Sequence, residues 1–264
     1  MGVLTTSRQQ DPGADHRGIL RVTLTRPDVR NAFDEEMIAA LTALARDAAK
    51  DPTLRAIVLA GEGPAFCAGA DLGWMMKAVA YSRQENLRDA EDLARMLEAL
   101  DALPVPLVAR VHGAALGGGI GLVAVADIAV CGENATFAFS EARLGIIPAV
   151  ISPYVLAKIG VSAARELFLT ARRFSAARAR EIGLVHAVVP EAALDDTVEE
   201  YLRDILSCAP SAIAAAKRLI RDVQGARPGE VIGLTTARIA EQRTSADGQE
   251  GMRAFLEKRT PNWS

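Results

Sequence analysis

The sequence predicts an α/β fold whose last quarter is all helix, and three observations carry that prediction. Between residues 19 and 139, short apolar runs of strand length alternate with segments of helical period. Beyond Ser152 only the helical period remains. Half of the 264 residues are hydrophobic, enough for one large core, yet no apolar run approaches the roughly 20 residues that a membrane-spanning helix needs. Alternation of this kind buries strand faces under helices in repeated right-handed β-β-α or β-α-β units.

Residues 1–17, with Ser7, Gln9, Gln10, Asp11 and Asp15, lack both the apolar core of a secretory signal and a basic amphipathic pattern, and read as a flexible N-terminal tail. Residues 19–24 alternate as a strand that Arg26-Pro27 ends, because proline removes a donor and restricts its predecessor. Asp34 is placed to cap a helix in which Met37, Ile38, Leu41 and Leu44 recur at helical spacing, up to Asp51-Pro52. A strand follows at 56–60. Residues 71–81, rich in Met and Trp, fit no period, whereas 85–103 is helical through Leu87, Leu93, Met96, Leu97 and Leu100. Then come a strand at 105–111, a helix at 118–125 and strands at 128–131 and 136–139. Helices are expected over 153–159, 162–170, 175–182, 194–207 and 211–223, with a turn at 225–229 before a final pair. A shift in composition near residue 200 divides a core, 18–200, from a C-terminal helical region, 201–264.

A formal net charge of −3 supplies no general field for nucleic acid, so no nucleic-acid partner is expected, although a local basic patch would serve a small polyanion. No membrane association is expected either. Cys67, Cys131 and Cys208 are odd in number and far apart, which argues against a disulfide framework or a zinc site and for a reducing, cytoplasmic setting. His16, His112 and His186 are scattered. Neither a Gly-x-Ser-x-Gly elbow nor a Gly-x-x-x-x-Gly-Lys loop occurs, which disfavours a hydrolase triad and a P-loop ATPase. No metal and no separate cofactor is expected.

Two glycine-rich turns carry the chemistry: Phe66-Cys67-Ala68-Gly69-Ala70-Asp71, and Gly113-Ala114-Ala115-Leu116-Gly117-Gly118-Gly119-Ile120-Gly121. Each follows a strand, so each can aim free backbone N–H groups into one shared cavity. Two such donors make an oxyanion hole, and a glycine triplet at a helix start lets a ligand approach a main chain that carries partial positive charge. Taken alone, Gly117, Gly118 and Gly119 are more simply a tight turn. The pairing points to a thioester or another acyl oxygen.

With Leu24-Thr25-Arg26-Pro27-Asp28-Val29-Arg30-Asn31-Ala32, Phe137-Ala138-Phe139-Ser140-Glu141-Ala142-Arg143-Leu144-Gly145-Ile146-Ile147-Pro148 and Glu250-Gly251-Met252-Arg253-Ala254-Phe255-Leu256-Glu257-Lys258-Arg259, these turns resemble the enoyl-CoA hydratase/isomerase (crotonase) family over about residues 22–263. The resemblance implies a spiral of β-β-α units whose C-terminal helices form a trimerisation region, in a homotrimer or a dimer of trimers. It implies an acyl-CoA thioester as substrate, with CoA part of that substrate. The N–H groups of Ala70 and Gly118 would polarise the thioester carbonyl, and Gly117 and Asp71 would shape and brace the two turns. Arg30, Phe255 and Lys258 would contact CoA, and the Ala68 carbonyl would take the adenine amine. Asp28 stands where relatives often carry lysine, so one phosphate contact is lost or passes to Arg30.

Two glutamates serve the family's paired-acid hydratases, and this chain matches only one of them, Glu141, the expected principal acid/base. The other position is Gly121. That glycine either leaves room for a substrate carboxylate or a fixed water, or simply packs its helix. A single base also suits a Δ3-Δ2-enoyl-CoA isomerase, while residues 140–154 look most like the hydratases of methylglutaconyl-CoA and isohexenylglutaconyl-CoA. The expected activity is therefore hydration of a branched or carboxylated 2-enoyl-CoA, with the isomerase as the alternative. A reading of another class is a non-catalytic relative that binds acyl-CoA or RNA.

Overall fold

The computed structural model describes residues 2–8 and 18–263. The chain winds as a spiral. Its first turn runs β1 (Leu4–Arg8), β2 (Ile19–Leu24) and α1 (Glu35–Ala48), and its second runs β3 (Ala56–Gly61), α2 (Leu72–Ala80) and α3 (Arg83–Asp101). A third runs β4 (Leu107–Val111), β5 (Ala114–Leu116) and α4 (Gly118–Val125), and a fourth runs β6 (Ile128–Gly132), β7 (Thr136–Ala138) and α5 (Ser152–Thr170). Next come β8 (Phe174–Ser175), α6 (Ala176–Glu181), β9 (Ala187–Val189) and α7 (Leu194–Ser207), and last α8 (Pro210–Gly225), α9 (Val231–Thr244) and α10 (Ala246–Glu257).

The first turn gives β1 and β2, and the next three give β3, β4 and β6, to a six-stranded sheet that β9 completes, ordered β1-β2-β3-β4-β6-β9 and parallel throughout except for β1 against β2. The same turns add to a second, smaller layer. There β5 and β7 pair in parallel, β8 joins antiparallel, and single bridges link Phe33 to Ala70 and Cys67 to Ala115. This is the crotonase-like spiral of β-β-α units with a helical C-terminal region. Strand alternation explains its layers: Ile57 and Leu59 face the main core under α1, α3 and α4, while Ala56 and Val58 face the other side, which α7 covers with Leu194, Val198, Leu202 and Ile205. A parallel sheet covered on both faces needs such near-continuous apolar strands.

Sequence and structure part in several places: β5 lies inside the second glycine-rich turn, β8 and β9 are strands that the pattern did not predict, and three further differences concern whole segments. Residues 4–8, expected to be tail, form the edge strand β1, aligned residue by residue with β2 from Leu4 opposite Leu24 to Arg8 opposite Leu20; the rest of that tail, residues 9–17, lies outside the described residues. The expected boundary near residue 200 falls inside α7, whose Leu202 and Ile205 belong to the sheet core, so the helical appendage begins only at Pro210. Residues 72–80, which fit no period, are helical because Asp71 caps them: its Oδ1 accepts from the N–H groups of Gly73 (2.7 Å) and Trp74 (3.3 Å). Elsewhere local chemistry follows the sequence. Asp34 accepts from Met37 N at 2.9 Å, and Ser82 with Glu85 forms a reciprocal capping box at the start of α3.

No described residue of α8 or α9 is buried, and α8 is tied to the core by polar contacts. Lys217 Nζ reaches Asp127 (2.7 Å) and the Val105 carbonyl (2.9 Å), and Arg221 lies 3.7 Å from Asp101. Among the described residues no helix is long and apolar enough to cross a membrane, and no cluster of His, Cys, Asp and Glu could hold a metal ion.

Candidate active site

The small layer brings three segments together. Ala68 N donates to the Arg30 carbonyl (2.9 Å), Phe33 N to that of Gly69 (2.7 Å) and Asp71 N to that of Phe33 (2.8 Å), stitching the loop after β2 to the loop after β3. That second loop is stitched to β5 by Cys67 N to the Ala114 carbonyl (3.1 Å) and Leu116 N to the Cys67 carbonyl (3.0 Å). Asn31 locks the junction. Fully buried, its Oδ1 accepts from Arg26 N (2.9 Å) and its Nδ2 donates to the carbonyls of Glu62 (2.9 Å) and Ala65 (2.8 Å). Its φ of +55° is one that asparagine tolerates better than most residues.

Two N–H groups are left over. Among the described residues neither Ala70 N nor Gly118 N has a hydrogen-bond partner, and both residues line one cavity of about 290 Å³. The two turns touch: a Cβ on Gly69 would lie 2.8 Å from the Leu116 carbonyl oxygen and 3.7 Å from Gly118 N. Gly117, at φ +49° and ψ −118°, adopts a backbone that side-chain-bearing residues avoid, and an added Cβ would come within 3.1 Å of Glu141 Oε1. A Cβ on Gly118 would meet the Phe33 ring at 3.0 Å.

Glu141 lines the same cavity from the start of the short turn Glu141–Leu144. Its Oε2 is buried without a hydrogen-bond partner, and burial pushes its carboxyl above the usual carboxylate range. The remaining wall is apolar: Trp74 from α2, Ala90 and Leu93 from α3, and the run from Ile146 to Ile151. Among the described residues Glu141 is the only ionisable side chain lining it. Trp74 is held in place by its Nε1, which donates to Asp89 at 2.8 Å. An outer groove of about 490 Å³ adjoins the cavity at Ala70, and Asp28, Arg30, Ala68 and Asp71 also line it.

The structure thus gathers Ala70, Gly117, Gly118 and Glu141 at the cavity, and Arg30, Ala68 and Asp71 at the groove. Asp71 is a brace. Burial pushes its carboxyl upward, but the Gly73 and Trp74 N–H groups and Arg26 (Nη2 at 3.0 Å) outweigh that and hold it below the usual range. Phe255, 84 % exposed, and Lys258 line neither cavity nor groove within this chain. Gly121 corrects the expectation of spare room. It is buried, it does not line the cavity, and a Cβ there would strike Ile151 Cγ2 at 2.5 Å, so an isoleucine methyl already fills that space. Cys67 lies under Gly119 with its thiol pushed up to about 12 by burial, which leaves it protonated and no nucleophile. Sequence reasoning missed Phe33, Trp74 and Ile151. Their only prior signal was position: Phe33 lies one residue beyond a quoted motif, Ile151 inside the 140–154 segment without a role of its own, and Trp74 inside the segment without a period.

Residues 14–264 match the family model described as Enoyl-CoA hydratase/isomerase. The chain belongs to that family. A crystal structure of an enoyl-CoA hydratase from Shewanella pealeana superposes with a TM-score of 0.92 at 38% identity, covering 99% of this chain and 96% of that one. Pseudomonas aeruginosa AtuE gives a TM-score of 0.92 at 38% identity over 98% of both chains. Enoyl-CoA hydratase EchA19 of Mycobacterium tuberculosis is 35% identical over 266 residues, 98% of each chain. As a member of the enoyl-CoA hydratase/isomerase family, the protein is an enzyme acting on an acyl-CoA substrate.

Proposed function

We propose that the enzyme hydrates the double bond of a 2-enoyl-CoA, with Ala70 N and Gly118 N on the thioester oxygen and Glu141 as the single acid/base. One observation carries the reading: two unpartnered N–H groups and one partnerless carboxylate oxygen line the same apolar cavity. As charge moves onto the thioester oxygen, two donors in a largely apolar cavity stabilise it with little reorganisation. Glu141 takes a proton from the water whose oxygen bonds to C3, and the same group returns a proton to C2 of the enolate. Water is consumed, and the carboxylate is regenerated. CoA lies along the outer groove, with Arg30 near its phosphates and the Ala68 carbonyl near its adenine.

The acyl group we assign is branched and uncharged. A carboxylated acyl chain of the glutaconyl kind would meet a wall of aliphatic and aromatic side chains whose only charge among the described residues, on Glu141, has the same sign. The isomerase remains a second reading because one carboxylate suffices to move a proton from C2 to C4 of a 3-enoyl-CoA, and Glu141 is the one present. We also propose self-association, as a trimer or dimer of trimers, supported by apolar side chains that α9 and α10 expose, among them Ile232, Phe255 and Leu256. Loss of enoyl-thioester absorbance over a panel of straight, branched, carboxylated and 3-enoyl-CoAs tests the activity. Branched uncharged 2-enoyl-CoAs are expected to react fastest, with ¹⁸O incorporated from labelled water. Fast 3-to-2 isomerisation with no ¹⁸O uptake would overturn the hydratase reading.

A further inference from the structure

α4 presents Gly118 at its first turn and contains only glycine and aliphatic residues, all but Gly118 buried. Nothing on the helix itself can fix it by a side-chain hydrogen bond. Its N-terminal end is held by Gly117 N, which donates to the Ala138 carbonyl (2.9 Å), and its middle by Ile151 against Gly121. Its C-terminal end is held from α5, where Lys158 Nζ donates to the carbonyls of Ala126 (2.6 Å) and Val123 (3.4 Å). These are carbonyls that a helix leaves without internal partners, and a cation is the group that the negative end of the helix dipole favours.

We propose that Lys158 is a positioning residue for the oxyanion hole: its ammonium anchors the C-terminal carbonyls of α4 and thereby fixes the place and polarity of the Gly118 N–H. The inference rests on reading Gly118 as a donor to the thioester oxygen. An eight-residue helix is about 12 Å long, and a close-packed interior transmits a shift of one end to the other. A unit positive charge at that distance, with little water between, also favours the negative charge that develops at the far end.

The surroundings of Lys158 are specific. It borders a second cavity, about 360 Å³, closed by Asp101 at the end of α3, by Asp127 after α4, by Tyr154 on its own helix and by Lys217 and Arg221 on α8; His186 also feels its charge. Asp127 is already engaged, accepting from Lys217 Nζ and from Leu107 N, both at 2.7 Å. Lys158 therefore spends its hydrogen bonds on helix carbonyls and not on a carboxylate. Burial pulls its ammonium down to about 8 against the opposing pull of Asp127 and Asp101, so the anchor loses its charge within an ordinary assay range.

The test compares Lys158→Gln, Lys158→Met and Lys158→Arg in the full-length enzyme, with circular dichroism to confirm folding. Gln and Met are expected to lower kcat about 10-fold while KM changes less than about 2-fold, because the loss concerns transition-state charge. Wild-type kcat should fall as pH rises through about 8. Arg, which stays charged, should restore kcat and abolish that fall. Difference infrared spectra of bound ¹³C-carbonyl butyryl-CoA supply the direct readout: the carbonyl stretch, lowered in wild type, returns toward the free-thioester value in the Gln and Met variants. A wild-type stretch and kcat in a folded Gln variant, or a basic limb that survives in it, overturns the role of Lys158 alone. No lowering in wild type overturns the oxyanion reading itself and this inference with it.

Discussion

Replacing Gly121 by alanine tests whether Ile151 occupies the position that a second acid would need. The added Cβ falls 2.5 Å from Ile151 Cγ2 and 3.6 Å from Leu97 Cδ2. Carbon atoms in contact prefer about 3.5–4.0 Å, so one side must yield by roughly 1 Å. Overpacking of this kind costs about 1–3 kcal/mol, and the better helix propensity of alanine offsets about 1 kcal/mol of it. Net destabilisation of about 0–2 kcal/mol is expected for Gly121→Ala. Ile151→Ala alone opens a cavity at a residue only 3 % exposed and should cost about 2–5 kcal/mol. In the double variant the new methyl enters the vacated space, so the alanine at 121 becomes stabilising and the cycle shows a favourable coupling of about 1–3 kcal/mol. Urea unfolding of the four proteins at one fixed concentration measures this, since self-association would otherwise shift the midpoints. Additivity within about 0.5 kcal/mol would refute the packing argument. By the same argument Gly121→Glu creates no second acid; a folded Gly121→Glu enzyme that hydrates crotonyl-CoA faster than wild type would refute it too.

Glu141→Gln should lower kcat by roughly 10²–10⁴ with little change in acyl-CoA affinity, checked by stopped-flow hydration beside calorimetric binding. The same change should raise Tm at neutral pH. Burial lifts the Glu141 carboxyl above its unfolded value, so charging it opposes folding: the cost is absent below about pH 4 and complete once pH passes the raised pKa, and the gain in Tm should vanish in acid. Gly118→Val, whose side chain must displace both Phe33 and the thioester oxygen, should lose about 3–4 kcal/mol of transition-state stabilisation, read as kcat/KM in a folded protein. Asn31→Ala removes three hydrogen bonds and strains a positive-φ position, and should cost about 3–4 kcal/mol in unfolding experiments.

The spiral was legible where patterns are local. Asp34 with its helical period, the alternating strands and the glycine-rich turns each encode their own conformation, and the motifs that resemble the family named Ala70, Gly118 and Glu141, which the structure brings to one cavity. What escaped depends on contacts between distant segments. β1 exists because β2 offers it an edge, and α7 joins the core because the sheet has a second apolar face. The choice between the two readings of Gly121, spare room or packing, was out of reach for the same reason: a glycine reads as space until Ile151, thirty residues on, is seen to fill it. Residues 72–80 were readable in part, since Asp71 followed by an apolar run is a cap signal, but the dense Met and Trp content hid the period.

The double covering of the large sheet carries a consequence for synthesis of the chain. Each new turn of the spiral adds a strand beside the last, so the first face closes progressively under α1, α3 and α4 as the polypeptide leaves the ribosome. The opposite face is different: Ile19, Ala56 with Val58, and Val130 come from three separate turns, and all four are covered late, chiefly by α7. Until residue 205 has emerged, that face is an open apolar surface on an otherwise ordered sheet, the kind of surface that draws chaperones or aggregates. Translation that pauses before Leu194 therefore leaves a sticky intermediate, whereas a pause after Ser207 leaves that face covered by α7, with α8 still to dock through Ile213, Lys217 and Arg221.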